Sequence, residues 1–176
     1  MSHFNTAANT WDTPEKITLS ANYAEAIKKY LPQNSNLKIL ELGCGTGLLG
    51  SQFVLDNNQL FGVDPSTGML EVFKGKFADN KNVHAINLNL EEDDLDESDF
   101  NLLISSMAFH HLKSPKDILI KLKNHFKPNS ILAIIDLDQE DGSFHPDPLK
   151  MGVYHSGFSL EDCKDWAKAA NLTFVD

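Results

Sequence analysis

The run Ile39-Leu40-Glu41-Leu42-Gly43-Cys44-Gly45-Thr46-Gly47 constrains this chain more than any other segment. Its apolar start reads as a buried parallel strand ending at Glu41 or Leu42. Gly43, Gly45 and Gly47 then let the backbone turn tightly and approach a ligand closely, because no Cβ stands in the way. Gly47 to Leu55 is expected to open a helix whose N-terminus faces that ligand. The glycines fit two frames. Gly45, Gly47 and Gly50 match the dinucleotide pattern G-x-G-x-x-G, and Asp64, 19 residues after Gly45, stands near where a ribose-binding acid is expected. The second frame, E-x-G-x-G-x-G, runs from Glu41 through Gly43 and Gly45 to Gly47. A carboxylate at the strand end repels a pyrophosphate and suits a cationic ligand group.

The 176 residues are enough for one domain with a full core. That domain is expected to span the whole chain, with an arm and helix over 1–32 and an α/β core over 37–176. No apolar run approaches the roughly 18 residues of a membrane span, and Met1 to Thr10 is polar, with no signal-peptide core. Cys44 and Cys163 do not make a disulfide framework, so a reducing cytoplasm is the expected location. Cys44 reads as a small spacer within the glycine turn, not a nucleophile. The formal net charge is −10 and every one of the basic residues is lysine. An acidic chain without arginine lacks the bidentate phosphate and guanine contacts of nucleic-acid readers, so no nucleic-acid partner is expected. The acids of Glu91 to Asp99 read as a solvated loop. Nothing in the sequence sets the oligomeric state.

Strand and helix patterns alternate along the chain. Thr13-Pro14 is a helix start, with a capping hydroxyl and proline at the first helical position. Ile17, Tyr23, Ala24, Ile27, Tyr30 and Leu31 form an apolar face up to Pro32. The patterns then predict a strand at 37–42, a helix at 48–56, a strand at 59–63 and a helix at 67–78 capped by Ser66. Strands follow at 83–88 and 100–106, a helix at 115–126 and a strand at 130–137. After a polar stretch, Ser159 opens a helix with Asp162 at the capping-box position, and Leu172 to Val175 reads as a short strand. This alternation predicts a doubly wound, mostly parallel sheet with helices on both faces. Such sheets bind ligands at the carboxyl ends of their strands, where Glu41, Asp64, Asn87 or Asn89, Ser106 and Asp136 all fall.

With these residues in place, the chain resembles the class I S-adenosylmethionine (SAM) methyltransferases of small-molecule type, over about residues 10 to 176. Glu41 to Gly47 resembles the family's motif I, in which Glu41 serves the amino end of SAM directly or through water. The absence of a second domain for a nicotinamide substrate, and of a Tyr-x-x-x-Lys pair, also favours this frame. Val63-Asp64-Pro65-Ser66 with Met69-Leu70 resembles motif II, in which the acid accepts two hydrogen bonds from the ribose hydroxyls. A carboxylate suits that task because it is acceptor-only and has two oxygens. The family usually places an Asp against the adenine amino group after the third strand. Here the aligned residue is Asn89, beside Leu90. Phe100-Asn101 replaces the usual Phe-Asp pair. Ser105 to Leu112 resembles the segment beside the methionine part of SAM, with Ser106 as a contact and His111 in a structural role. Phe126 to Ser130 resembles the turn before strand five, where the family commonly has glycines at the last two positions. The resemblance thus implies SAM contacts from Glu41, Gly43, Cys44, Gly45, Gly47, Asp64, Pro65, Met69, Asn89, Leu90 and Ser106, with S-adenosylhomocysteine as product.

Asp136 to His145, together with His155-Ser156-Gly157-Phe158, resembles an uncharacterised subgroup of these enzymes and lies on the side where acceptors bind. Two histidines and several carboxylates in one loop can serve as a metal site or a substrate wall, but no histidine pair has the i, i+4 spacing of a zinc motif, so no metal is expected. SAM carries its own activation, and transfer needs the acceptor held about 3 Å from the methyl carbon, in line with the sulfur. A base is required only where the acceptor must lose a proton, and His145, His155 and His110 are its candidates, in that order. Phe4 and Trp11-Asp12 belong to an arm that either covers the SAM cleft, as in relatives, or packs on the sheet edge. Class I sheets end with strand six and an antiparallel strand seven, whereas this chain stops at Asp176. The sixth strand is therefore expected to be incomplete and the seventh absent. That leaves open a protein that binds SAM without catalysis and, as a third reading, a nicotinamide-binding domain. The acceptor expected is a small molecule.

Overall fold

A computed structural model describes residues 2–32, 36–54 and 57–175. Five strands form one parallel sheet: β1 Lys38–Leu42, β2 Gln59–Asp64, β3 Val83–Asn87, β4 Phe100–Ser106 and β5 Phe126–Ile135. Their spatial order is β3-β2-β1-β4-β5, so the winding reverses between β1 and β4. Among the described residues six α-helices accompany them: α1 Ser2–Ala7, α2 Pro14–Lys28, α3 Thr67–Lys76, α4 Pro115–Leu122, α5 Pro148–Met151 and α6 Leu160–Ala169.

The strands are apolar on both faces because helices cover both. Ile39, Leu60, Leu102 and Ile104 pack with Ala24 and Ile27 of α2 and with Leu70 and Phe73 of α3. Leu40, Phe61, Val63 and Leu103 point the other way, onto Ile118, Leu119 and Leu122 of α4, with Trp166 and Cys163 of α6 behind them. The alternation of neighbours such as Ile39 and Leu40 between two cores follows from the period-2 geometry of a strand.

Local signals set most element ends. The Thr13 hydroxyl accepts from the Lys16 N–H, with Pro14 in the first turn of α2. Ser66 caps α3 through the Met69 N–H. Ser159 and Asp162 form a full capping box at α6. Asn58, 5% exposed, ties β1 to the segment before β2: its Oδ1 accepts from the Leu37 N–H at 2.9 Å and its Nδ2 donates to the Phe53 carbonyl at 2.8 Å.

Three sequence expectations are corrected. The helix expected over 48–56 is only a 3-10 turn, Gly50–Phe53, among its described residues. The Gly50 N–H that an α-helix would give to Thr46 is bonded instead to the Glu41 carboxylate at 2.9 Å, and no side chain caps the turn. The fifth strand begins at Phe126, not at 130. Phe126 pairs with Phe100, and a register shift then absorbs Lys127 to Ser130, with Asn129 at φ 64°. Leu172 to Val175 forms no strand, and among the described residues the sheet ends with β5. No helix among the described residues is long and apolar enough to cross a membrane.

Asn58→Ala strips two buried backbone groups of their partner at once. At about 1–3 kcal/mol per unsatisfied group, the expected loss is roughly 2–6 kcal/mol in urea denaturation. A loss below about 1 kcal/mol would contradict the tethering role.

Candidate active site

The residues singled out in the sequence gather at the carboxyl ends of the strands, beside the β1–β4 reversal. Gly43, Gly45 and Gly47 all take positive φ, at 65°, 52° and 79°. At Gly43 the constraint is steric as well: a Cβ there would lie 2.4 Å from Ala108 Cβ. The Gly43 and Cys44 N–H groups both donate to the Val63 carbonyl, at 2.9 and 3.1 Å, and press the loop against the end of β2.

Two carboxylates fix this loop from below and from the side. Glu41 is 3% exposed and lies under it. Its Oε1 accepts from the Gly50 N–H at 2.9 Å, while Oε2 is buried with no protein partner. A Cβ on Gly50 would fall 2.2 Å from that oxygen, so glycine is what leaves room for the carboxylate. Burial pushes the Glu41 pKa up to about 8, against the Gly50 hydrogen bond, which pulls it down. Asp64, the last residue of β2, accepts from Gly45 N–H at 2.9 Å through one oxygen and from Ser66 N–H at 2.8 Å through the other. Burial raises its pKa and these two hydrogen bonds oppose that rise. Asn87, opposite Asp64 in the β2–β3 register, donates to the Asp64 carbonyl at 3.0 Å.

The other expected cofactor residues vary in how open they are. Met69 is buried, with its sulfur beside Gly45. Pro65 is exposed, and Asn89 and Ser106 are half-buried. Asn89 closes the turn after β3, its Oδ1 accepting from Glu91 N–H and its own N–H donating to Asp93. Leu90 packs in the core, and its carbonyl accepts from Lys121. Cys44 is also buried, which pushes its thiol pKa well up and leaves it without nucleophilic character at neutral pH.

The arm reaches the loop. Asn5 Oδ1 accepts from the Ser66 hydroxyl at 2.7 Å and the Gly68 N–H at 2.9 Å. Asp12 bonds the Thr46 hydroxyl and pairs with Lys76 at 2.9 Å. Phe4 packs edge-on against both Trp11 and His111, at centroid distances of 5.8 and 5.1 Å. One short segment therefore touches the glycine loop, the start of α3 and the histidine side of the site.

That second side is organised by Asp136, immediately after β5. Its Oδ1 lies 2.6 Å from His110 Nδ1 and also accepts from Leu137 N–H, and its Oδ2 accepts from Phe109 N–H at 2.8 Å. Burial pushes the Asp136 pKa up, but His110 and the two backbone N–H groups outweigh it and hold the carboxyl below its ordinary value. His110 is 1% exposed and its carbonyl accepts from the N–H groups of Tyr154 and His155. The ends of the long loop are fastened together, with Glu140 N–H on Ser156 O and Phe158 N–H on Leu137 O. His145 from this loop lies 4.9 Å from His110 between ring centroids, and His111 lies 4.1 Å from His110. Burial, then the neighbouring His110, lower the pKa of His111 to about 4, and the same two causes lower that of His145. His155 packs at a tilt against Phe158 and has a buried Nε2 without a protein partner. The structure thus brings His110 and His145 together, with His111 and Asp136 beside them. The sequence offered only the adjacency of His110 and His111, and the strand-end position of Asp136, as signals for them.

A glycine loop and a β2-terminal acid at the reversal of a parallel β3-β2-β1-β4-β5 sheet define a class I methyltransferase architecture, whose cofactor is SAM. A family model described as a methyltransferase domain matches residues 40–132, just over half the chain, and the chain belongs to that family. An uncharacterised methyltransferase of Schizosaccharomyces pombe is 33% identical over 157 residues, covering 80% of this chain and 55% of that protein. A malonyl-[acyl-carrier protein] O-methyltransferase of Bacillus anthracis is 27% identical, covering 78% and 52% respectively. The chain thus spans about half the length of the curated relatives it matches. A SAM-dependent methyltransferase from Aquifex aeolicus has the same fold, with a TM-score of 0.76 at 21% identity, covering 98% of this chain and 90% of that one.

Glu41 makes stability depend on pH. Unfolded, it titrates near 4.5, and folded near 8. Between these values the native protein holds a proton that the unfolded chain has released, so stability falls as pH rises through the window, by on the order of 5 kcal/mol in total. Glu41→Gln keeps a neutral acceptor for Gly50 N–H and is expected to flatten this slope in urea denaturation. A slope equal to that of the parent protein would rule out a buried proton at Glu41.

Proposed function

We propose that this chain transfers the methyl group of SAM to a small-molecule acceptor by in-line displacement. The observation that carries the reading is Asp64. It ends β2 beside the glycine loop, with its carboxylate held by the Gly45 and Ser66 N–H groups. Each oxygen retains a second lone pair for a ribose hydroxyl. The glycine loop, Met69 and Asn89 border the same strand ends and supply the walls for the nucleoside, with Ser106 towards the methionine part. Glu41 serves the amino end from beneath the loop, through the oxygen that the protein leaves unpaired.

The chain's own task is to position the acceptor and to exclude water. The arm is joined to the glycine loop through Asp12 and to the start of α3 through Asn5, and so screens a bound sulfonium from bulk solvent. His110, His145 and His155 face the acceptor side. His145 is neutral near pH 7, its pKa lowered by burial, and is therefore a competent proton acceptor. The acidic, arginine-free composition supports a small molecule over a nucleic acid as acceptor.

Calorimetric titration tests this reading. S-adenosylhomocysteine is expected to bind one to one. Asp64→Ala is expected to weaken it about 100-fold or more, from two charged hydrogen bonds of about 1.5–3 kcal/mol each. Undiminished binding by that variant would sink the cofactor assignment. Heat from NAD and none from SAM would favour a nicotinamide-binding domain instead. Binding without turnover across a panel of hydroxyl, thiol, amine and carboxylate acceptors would point to a non-catalytic SAM binder.

A further inference from the structure

His110 and His111 close the turn after β4, and His145 arrives from the loop after β5, 34 residues on from His111. One nitrogen from each of the three imidazoles lies within 4.8 Å of the others. The hydrogen bonds around them decide which nitrogens are free to ligate. His110 Nδ1 lies 2.6 Å from Asp136 Oδ1, and Asp136 already accepts backbone N–H groups of Leu137 and Phe109. It is an acceptor, so the proton sits on Nδ1 and the Nε2 lone pair is exposed to its surroundings. His111 Nδ1 lies 3.0 Å from the Gly152 carbonyl, which can only accept, and this fixes the same tautomer there. His110 Nε2 is buried in a residue 1% exposed and has no protein partner. A buried lone pair is normally satisfied. No donor among the described residues is in place to satisfy this one, while two further imidazoles stand beside it.

We propose that His110, His111 and His145 form a binding site for one divalent transition-metal cation of the zinc type. Neutral imidazole donors suit zinc, cobalt and nickel, not magnesium or calcium, which take oxygen ligands. Asp136 and the Gly152 carbonyl stand behind two of the ligands, as acceptors for the far ring nitrogen that orient the ring and raise its basicity. Tetrahedral ligation at about 2.0–2.1 Å sets nitrogen to nitrogen distances near 3.3 Å. The three nitrogens, within 4.8 Å of one another, draw closer by up to about 1.5 Å to reach this spacing. Three protein ligands leave a fourth position for water or for a donor atom of the acceptor. The consequence for methyl transfer rests on the function proposed above: a cation here lowers the pKa of a bound hydroxyl or thiol, and a nitrogen that holds the cation does not also serve as base. The binding of the ion itself rests only on the imidazole geometry.

Metal-stripped protein titrated with zinc against a chromophoric chelator, and with cobalt followed by visible absorption, tests the site. The expected result is one ion per chain, bound more tightly than about 10 μM, with the intense cobalt bands of tetrahedral nitrogen ligation. His111→Gln and His145→Gln replace half-buried side chains and are each expected to weaken zinc at least about tenfold, and Asp136→Asn by about 10–100-fold with the cobalt spectrum retained. Failure of the unaltered protein to take up either ion would overturn the proposal, as would parental affinity in both glutamine variants. S-adenosylhomocysteine titrated into the same samples separates the two readings. Zinc uptake without nucleoside binding upholds the metal site and removes the cofactor assignment, whereas nucleoside binding without zinc uptake does the reverse.

Discussion

The site end of the molecule depends on two carboxylates that hold a glycine loop between adjacent parallel strands. Glu41 and Asp64 sit at the ends of β1 and β2, and each accepts a backbone N–H from the segment that follows β1: Gly50 for one, Gly45 for the other. A loop of residues at positive φ has few internal hydrogen bonds of its own, so its shape must be imposed from outside. The carboxylates impose it, and their desolvation is the cost. Burial raises both pKa values, that of Glu41 up to about 8. A protonated or partly neutralised acid beneath a ligand loop is poised to respond to a cationic ligand, which restores the favourable pairing that the apolar surroundings deny.

The same economy of anchors recurs across the site. Asp136 collects the turn after β4, the end of β5 and the His110 ring on one carboxylate. The His110 carbonyl then fastens the far end of the long loop through Tyr154 and His155. Asn5 and Asp12 extend the network to the N-terminal arm. Loop, arm and histidines are thus coupled through a few polar side chains at strand ends, and the strands themselves are held by apolar packing on both faces. Precision at the site comes from the rigidity of the sheet to which each anchor is attached.

Much of this was legible in the sequence because its signals are local. Thr13-Pro14, Ser66 and Ser159 with Asp162 cap the helices expected of them. The apolar runs form the five strands, and Glu41, Asp64, Asn87, Ser106 and Asp136 stand at their carboxyl ends. The errors lie where a distant partner overrides a local pattern. Gly50 gives its N–H to Glu41, nine residues earlier, and the helix expected there contracts to a 3-10 turn. The pairing of Phe126 with Phe100 draws Phe126 to Ser130 into β5 as a bulged extension. Leu172 to Val175 has strand-like composition but pairs with no strand among the described residues, and a strand exists only by its pairing.

The sequence by itself determined the class of architecture and the glycine loop with its two strand-end acids, because a strand, a glycine turn and an acid at fixed spacing are properties of one continuous segment and its successor. Tertiary structure decided the opposite side. His110 and His111 meet His145 only because β4 and β5 are neighbours in the sheet and the loop after β5 folds back onto the His110 carbonyl. Which nitrogen of each ring bears the proton depends on Asp136 and Gly152, residues far along the chain from the rings they orient. No periodicity or spacing encodes that arrangement, since it is a product of strand order and loop closure, which residues acquire only when the whole sheet is assembled.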